Sequence, residues 1–319
     1  MENIPHNYLN YTLSVVLGCM LAFLPVISSN FSDLDGVIPI FLTSLICSTI
    51  FIYWLCYKGF KNTKLKINIV DVCFALYICY GVLRMMVSDV IFNPVIVCEW
   101  FGLVIIYVLV RLLEYKFLRV LYVSLLLGGT IQAVIGVLQY VNLLESNHVI
   151  FKITGSFSNP GHYGGFLALS IVVGLFMWRA KQYSITKGNI FFPCILFIQI
   201  VALLLSDSRA AWLAVIVPIC LLFANNYFNR PFYRHWYIKL SFCILIIVMM
   251  ISLYYYKKAS ADVRVLTWNS SLFMIKDAPV FGHGIGSFAA NYMPCQACYL
   301  DEHVGGNEAL IADNNMLAF

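Results

Sequence analysis

Two arginines in polar segments are the residues best suited to hold an anionic substrate. Arg209 lies in the short polar segment 206–209 between two apolar runs, and Arg264 lies in the polar stretch that begins at Lys257. A guanidinium is always charged, and its planar fork of N–H donors fits phosphate oxygens. Either arginine could therefore neutralise a phosphate or pyrophosphate, although an ion pair between Arg209 and Asp207 is the alternative for the first.

A glycine-rich loop precedes one of the apolar runs. Residues 154–165 have the sequence TGSFSNPGHYGG. Gly, Ser, Asn and Pro at this density are typical of an irregular turn that ends where a helix begins. The free backbone N–H groups at such a helix N-terminus suit a phosphate. A capped loop without a ligand is the equally open alternative.

Polar residues also lie inside the apolar runs. Arg84 and Glu99 fall about one turn inside neighbouring ends of the third and fourth runs. Because a charge in the membrane is costly, an Arg84–Glu99 ion pair is one interpretation, and an Arg84 that binds an anionic group at the outer surface is the other. Gln132 and Gln139 are seven residues apart and share a helix face, which favours interhelical hydrogen bonds over ligand contacts.

The composition requires that these residues be positioned by membrane helices. The chain is 61% hydrophobic and 11% charged, with a mean hydropathy of +0.85. Soluble domains carry about a quarter charged residues. The predicted fold is all-α: a polytopic transmembrane bundle over residues 1–256, then a long, partly helical periplasmic loop over 257–319. About nine runs are long enough to cross a bilayer, near 11–30, 36–57, 67–88, 94–114, 119–144, 163–180, 190–206, 211–226 and 238–256.

The basic residues set the orientation of this bundle. Lys and Arg concentrate in the connections after the second, fourth, sixth and eighth runs, whereas the alternate connections are poor in them. By the positive-inside rule the N-terminus is cytoplasmic. The loops 145–162, 206–211 and 257–319 then face outward, which in a bacterium is the periplasm. The net charge of +5 reflects topology, so no nucleic-acid partner is predicted.

The polar stretch contains three local patterns. Residues 262–277 have helical spacing of apolar residues, with Asp262 as the expected N-cap and Pro279 as the stop. Residues 281–288, FGHGIGSF, predict a tight turn rather than a dinucleotide site, because no strand precedes the glycines. Cys295 and Cys298 suggest a local disulfide, with a redox pair or half of a zinc site as weaker alternatives.

Three of these motifs together resemble the bacterial O-antigen ligase and polymerase family. The segment 206–212, SDSRAAW, followed by an apolar run, is similar to that family's Ser-Arg-Gly-Ala-Trp-type motif. Arg264 with Trp268, followed by KDAPVFGHG at 276–284, resembles a second family motif, and the loop 155–162 resembles the family's outward loop. The similarity runs in order over roughly residues 150–319.

The resemblance implies a glycosyltransferase of the bacterial inner membrane whose active face is periplasmic. Its donor would be a glycan linked to undecaprenyl pyrophosphate, and its acceptor a glycan, a lipid or a protein, in contact with membrane lipids. No nucleotide sugar, metal or other cofactor is implied. Arg209 and Arg264 would hold the pyrophosphate, with Arg84, Asn159 and His162 as further substrate-binding candidates.

The catalytic base is where this sequence departs from the family. The family has a His-Asn step near the end of the loop, whereas here Asp313 precedes Asn314 and the sequence given ends at Phe319. Asp313 and His303 are the candidate catalytic residues, with His283 as a weaker one. A base in sequence beyond Phe319, and hence a truncated chain, is the alternative.

Other functions stay open at this point. O-antigen ligase, repeat-unit polymerase and protein O-oligosaccharyltransferase share a donor site and differ in the acceptor. A transporter or flippase of a lipid-linked sugar would require broken helices and charges at the membrane midplane, whereas the polar residues here cluster at the predicted outer ends. An inactive, truncated relative is the remaining reading of the missing histidine.

Overall fold

The computed structural model describes residues 6–27, 45–50, 67–87, 94–180, 191–228, 258–284 and 286–303, and the single residues 52, 248 and 255. All regular secondary structure in these ranges is helical, which confirms the predicted all-α class. The main helices are α1 (His6–Ile27), α2 (Ile69–Val87), α3 (Pro94–Leu112), α4 (Tyr115–Tyr140), α5 (Pro160–Arg179), α6 (Phe191–Leu205), α7 (Arg209–Phe228), α8 (Lys258–Asp277) and α9 (Phe288–His303).

Three of the described helices, α2, α4 and α5, are long and apolar enough to cross a membrane. Shorter apolar stretches lie within α1, α3, α6 and α7. Two of the predicted spans, 36–57 and 238–256, fall largely outside the described residues. The structure therefore supports a membrane protein, and the number of nine spans stays a prediction.

The chain forms two compact units. The first comprises residues 1–63 and 97–234, and so contains α1, α4, α5, α6, α7 and most of α3. The second comprises residues 64–96 and 235–319 and contains α2, α8 and α9. The contacts thus group α2 with the polar stretch, and the predicted division at residue 256 stays a prediction.

The first unit is packed around α4, whose small residues allow close approach. A Cβ built on Gly128 would lie 2.9 Å from the Cα of Ala22 in α1. One on Gly136 would overlap the hydroxyl of Tyr163. Because Cβ atoms need more room than this, only glycine permits these contacts.

A polar network ties α4 to α5 and α6. Gln199 of α6 donates from Nε2 to Leu126 O (3.0 Å) and Thr130 Oγ1 (3.1 Å) of α4. Its Oε1 accepts from the hydroxyl of Ser170 in α5 at 3.0 Å. Gln199 and Ser170 are fully buried. Such buried amide groups are stable only when hydrogen-bonded, so the network fixes how the three helices face each other.

Gln132 and Gln139 of α4 bind a loop. The expectation that they form hydrogen bonds to another helix was wrong. Gln139 Oε1 accepts from the backbone N–H groups of Thr154 (3.0 Å) and Gly155 (2.8 Å), and its Nε2 donates to Gly155 O at 2.8 Å. Gln132 exchanges two hydrogen bonds with Ser156, at 2.6 and 3.0 Å. The loop needs these partners because its buried backbone belongs to no helix.

The end of α4 starts the loop in a defined direction. Asn142 adopts a positive φ of 61°. Its N–H donates to Gln139 O (3.1 Å), and the N–H of Leu143 donates to Leu138 O (2.9 Å). This is a Schellman C-cap, for which asparagine is the usual substitute for glycine. It turns the chain back so that residues 153–156 lie along the face of α4 that carries the two glutamines.

In the second unit, α8 begins earlier than the sequence suggested. The helix starts at Lys258, so Asp262 lies within it and is not its N-cap. The alanines and serine at 259–261 continue the helix, since none of them interrupts it. The helix ends at Asp277, two residues before Pro279, as expected. Hydrogen bonds from Asn269 to Tyr299 (3.1 Å) and from Tyr292 to Thr267 (3.3 Å) join α8 to α9.

The close approach of α1 and α4 makes a first prediction. Gly128→Ala should destabilise the protein by about 1–3 kcal/mol, because the added methyl group meets backbone that cannot move aside. Thermal unfolding of the purified protein in detergent would measure the loss. Gly165→Ala is the matched control, since nothing lies within 4 Å of a Cβ at Gly165. Equal melting temperatures for both variants would contradict this packing.

The glutamine contacts make a second prediction. Gln139→Leu removes the partners of several buried backbone groups, each worth about 1–3 kcal/mol when left unpaired. Amide hydrogen exchange of residues 145–156 should accelerate by at least about tenfold, while exchange in α5 and α6 changes little. The exposed neighbour Val141 supplies the control Val141→Leu. Unchanged loop exchange in Gln139→Leu would show that these bonds do not hold the loop.

Candidate functional site

The structure brings together two of the segments that the sequence singled out, both in the first unit. A Cβ on Gly164 of α5 would lie 2.8 Å from Cβ atoms of both Ser208 and Ala211. The glycine-rich loop and the arginine segment therefore meet where α5 and α7 begin. Gly164 is required for this contact, because any side chain would separate the two helices.

The start of α7 is a tight turn built from the polar segment. Asp207 has a positive φ of 56°, a conformation that aspartate tolerates better than most residues. Ser208 precedes the helix, and its carbonyl accepts from the N–H groups of Ala211 and Trp212, both at 3.1 Å. The indole of Trp212 donates to Leu203 O at 2.9 Å, which ties α7 back to α6. Arg209 is thereby placed, partly exposed, as the first residue of α7.

The start of α5 is capped by its own sequence. Asn159 is the N-cap, and its Oδ1 accepts from the N–H of Gly161 at 2.7 Å, while Pro160 occupies the first helical position. His162 is exposed in the first turn. Gly165 is exposed on a face where nothing lies within 4 Å of an added Cβ. The start of α5 therefore exposes two glycines, Gly161 and Gly165, and the side chain of His162.

These features bring hydrogen-bond donors and partial positive charges together at one place, beside the carboxylate of Asp207. A helix N-terminus carries a partial positive charge, and its first N–H groups lack intrahelical acceptors. Here two such termini lie together, and Arg209 adds a full positive charge. Arg209 and Asp207 each interact with other groups of the protein. The arrangement is suited to a phosphate or pyrophosphate.

The other candidate arginines lie in the second unit. Arg264 is exposed on α8. Arg84 of α2 donates from Nε to Phe281 O (2.9 Å) and from Nη2 to Gly282 O (2.5 Å), and Tyr80 Oη donates to Phe281 O at 2.7 Å. Arg84 thus binds backbone carbonyls of the tight turn. The side chain of Glu99, its suggested partner, lies outside the described residues.

Of the three candidate bases, the structure describes the side chain of His283 alone. Asp313 lies outside the described residues, and His303 ends α9 with its side chain outside them. His283 is partly buried, and its Nε2 lies 3.1 Å from Met274 O and 3.8 Å from Asp277 Oδ2. A carbonyl can only accept, so Nε2 carries a proton and Nδ1 is the nitrogen left to take one.

The two cysteines of α9 are free thiols in the structure, not the suggested disulfide. Burial raises the pKa of the Cys295 thiol, and electrostatic interaction with the nearby Asp277 and Cys298 raises it further. A raised pKa keeps Cys295 protonated at neutral pH, which does not suit a redox nucleophile. Among the described residues, no cluster of three or more His, Cys, Asp or Glu could hold a metal ion.

Sequence reasoning missed two contributions that depend on contacts distant in the chain. Tyr80 was not singled out, although it lies four residues before Arg84, and residues at that spacing share a helix face. The role of Gln132 and Gln139 as partners of the glycine-rich loop was also missed. Their spacing was recognised, but nothing local indicates that the loop 153–156 folds back onto α4.

Comparison with known proteins agrees with the motifs. A family model described as O-Antigen ligase matches residues 194–314, a range that contains both Arg209 and Arg264. No curated protein and no solved structure matches the chain. The match covers the arginine segment and most of the polar stretch, two of the three regions that carried the resemblance, and does not include the loop 155–162. The match therefore supports a relationship of this chain to the O-antigen ligase and polymerase family, a family of membrane enzymes that transfer glycans.

Proposed function

We propose that this protein transfers a glycan from an undecaprenyl-pyrophosphate donor to an acceptor hydroxyl on the periplasmic side of the bacterial inner membrane. The acceptor hydroxyl oxygen attacks the anomeric carbon of the donor sugar. The bond from that carbon to the pyrophosphate oxygen breaks, and undecaprenyl pyrophosphate leaves. The proton of the hydroxyl passes to a base, for which Asp313 and His303 remain the candidates.

The observation that carries the proposal is the meeting of the α5 and α7 N-termini beside Arg209. In this reaction, negative charge accumulates on the pyrophosphate as the glycosidic bond breaks. Fixed N–H dipoles and a guanidinium stabilise that charge without having to reorganise. Arg264 is proposed to bind the donor pyrophosphate as well, because its segment resembles the family's second arginine motif.

Asn159 and His162 are proposed to act at the rim of this donor site. Asn159 already uses Oδ1 to cap α5, which leaves its amide N–H groups for a ligand. His162 is exposed two residues before Gly164, in the first turn of the same helix. The acceptor is proposed to be either a lipid, as in a ligase, or a second repeat-unit glycan, as in a polymerase. A protein acceptor is a third form of the same chemistry.

The arginine sites make a third prediction. Arg209→Ala and Arg264→Ala should each lower glycan transfer by about 100-fold or more, because each removes a cation from the leaving group. Arg209→Lys should recover part of the activity, since it restores charge but not the planar fork. Transfer would be measured in membranes with the lipid-linked donor, at matched protein levels.

Arg179→Ala is the matched control, because Arg179 is an exposed arginine at the opposite end of α5. It should transfer glycan at the wild-type rate. If Arg209→Ala and Arg264→Ala both kept full activity, the proposed pyrophosphate site would be wrong.

Gly164 and Gly165 of α5 make a fourth prediction, which distinguishes an effect on donor binding from an effect on helix packing. Gly165→Ala meets no protein atom and should raise helix stability by about 0.5–1 kcal/mol, yet it should lower transfer if the donor lies against this turn. Gly164→Ala should lower stability and activity together, because its methyl group meets Ser208 and Ala211. Melting temperatures and transfer rates of both variants would be compared. Wild-type activity in a stable Gly165→Ala variant would place the donor elsewhere.

A further inference from the structure

We propose that Arg84 and Tyr80 act as a latch that positions the turn between α8 and α9, and that Arg84 is a positioning residue rather than a ligand of the donor. The inference rests on the proposed function for its effect on catalysis. The contact itself is independent of that function. It lies wholly within the second unit, between α2 and residues 278–284, here called the glycine turn.

The glycine turn has little means of holding its own shape. Gly282 and Gly284 have positive φ angles of 59° and 107°, and Gly286, just beyond the turn, has one of 74°. Glycines lose more conformational freedom on ordering than other residues, so such a segment needs contacts from outside to stay fixed. Within the turn, the N–H of Gly282 donates to Ala278 O at 3.1 Å. The carbonyls of Phe281 and Gly282 point away from that bond.

The latch supplies the missing contacts. Tyr80 and Arg84 are four residues apart, so they project from the same face of α2. Their three donors converge on two adjacent carbonyls, with Phe281 O accepting from both residues and Gly282 O from Arg84. Hydrogen bonds from a charged donor are stronger than neutral ones. The geometry uses the forked shape of the guanidinium, which bridges neighbouring residues of the turn.

Fixing the turn also fixes what lies on both sides of it. Beyond it, Ser287 Oγ donates to Gly284 O at 2.7 Å and Ser287 O accepts from the N–H of Asn291, which starts α9. On the side of α8, His283 of the glycine turn contacts Met274 O near the end of that helix. His283 and Ser287 line a cavity of about 310 Å³ together with Ser271. The latch therefore sets the geometry of the joint that connects the helix carrying Arg264 to α9.

A ligand role and a latch role for Arg84 make different demands. Binding a pyrophosphate needs the positive charge, which Arg84→Lys keeps and Tyr80→Phe does not affect. The latch needs the donors, so Tyr80→Phe weakens it and Arg84→Lys, which has a single donor group, holds it only in part. Tyr80→Phe is the decisive variant, because it changes no charge and keeps the ring.

The test measures amide hydrogen exchange of residues 276–287 and glycan transfer in the same preparations of the full chain. Exchange in the turn should accelerate by about tenfold or more in Arg84→Ala, and by less in Arg84→Lys and Tyr80→Phe. The acceleration should follow the number of hydrogen bonds that each variant loses. Transfer should fall in the same order. Met86→Ala, at a residue 80% exposed on α2, is the control and should change neither quantity.

Two results would overturn the latch: unchanged exchange in Arg84→Ala, or faster exchange with transfer at the wild-type rate. A third would return Arg84 to the donor site, namely loss of transfer in Arg84→Ala with unchanged exchange and with full recovery in Arg84→Lys. A wild-type protein that transfers no glycan would count against the proposed function. The exchange measurement would still report on the latch in that case, so the two failures are distinguishable.

Discussion

Both units depend on the same physical constraint: backbone outside the helices needs hydrogen-bond partners if it is to hold one conformation. In the first unit, Gln132 and Gln139 of α4 provide those partners for residues 154–156. In the second, Tyr80 and Arg84 of α2 provide them for residues 281 and 282. In each case, polar side chains on one face of a long apolar helix hold a glycine-containing turn.

Glycines complete this arrangement from the other side. A Cβ on Gly136 or on Gly155 would overlap the ring of Tyr163. A Cβ on Gly164 would overlap residues at the start of α7. Close approach shortens the distance across which a glutamine or serine must reach. The small residues of α4 and α5 and the buried amides thus act together to hold the loop and the helices in place. Removing either would leave polar backbone without partners.

The proposed chemistry follows from where these held segments end. Once the loop 153–158 is fixed on α4, Asn159 and Pro160 begin α5 at a set position, and Gly164 lets α7 begin beside it. Arg209 is then the first residue of a helix rather than a side chain on a loose loop. A site for a pyrophosphate leaving group benefits from such rigidity, because stabilisation of developing charge is greatest when the donors need not move.

Composition and local pattern were enough to predict an all-helical membrane protein, most helix positions, the turn after Pro279 and the resemblance to the O-antigen ligase family. Hydropathy and short motifs can be recognised because they depend on neighbours in the chain. They failed where a residue's partner is distant. Asp262 was placed at a helix end although α8 begins at Lys258, since nothing at 258–261 interrupts a helix. The sequence favoured a hydrogen bond from Gln139 to another helix, whereas Gln139 binds a loop. Arg84 binds the carbonyls of residues almost 200 positions away in the chain. A donor's chemistry can be recognised in the sequence, but the acceptor it finds is decided by packing in three dimensions.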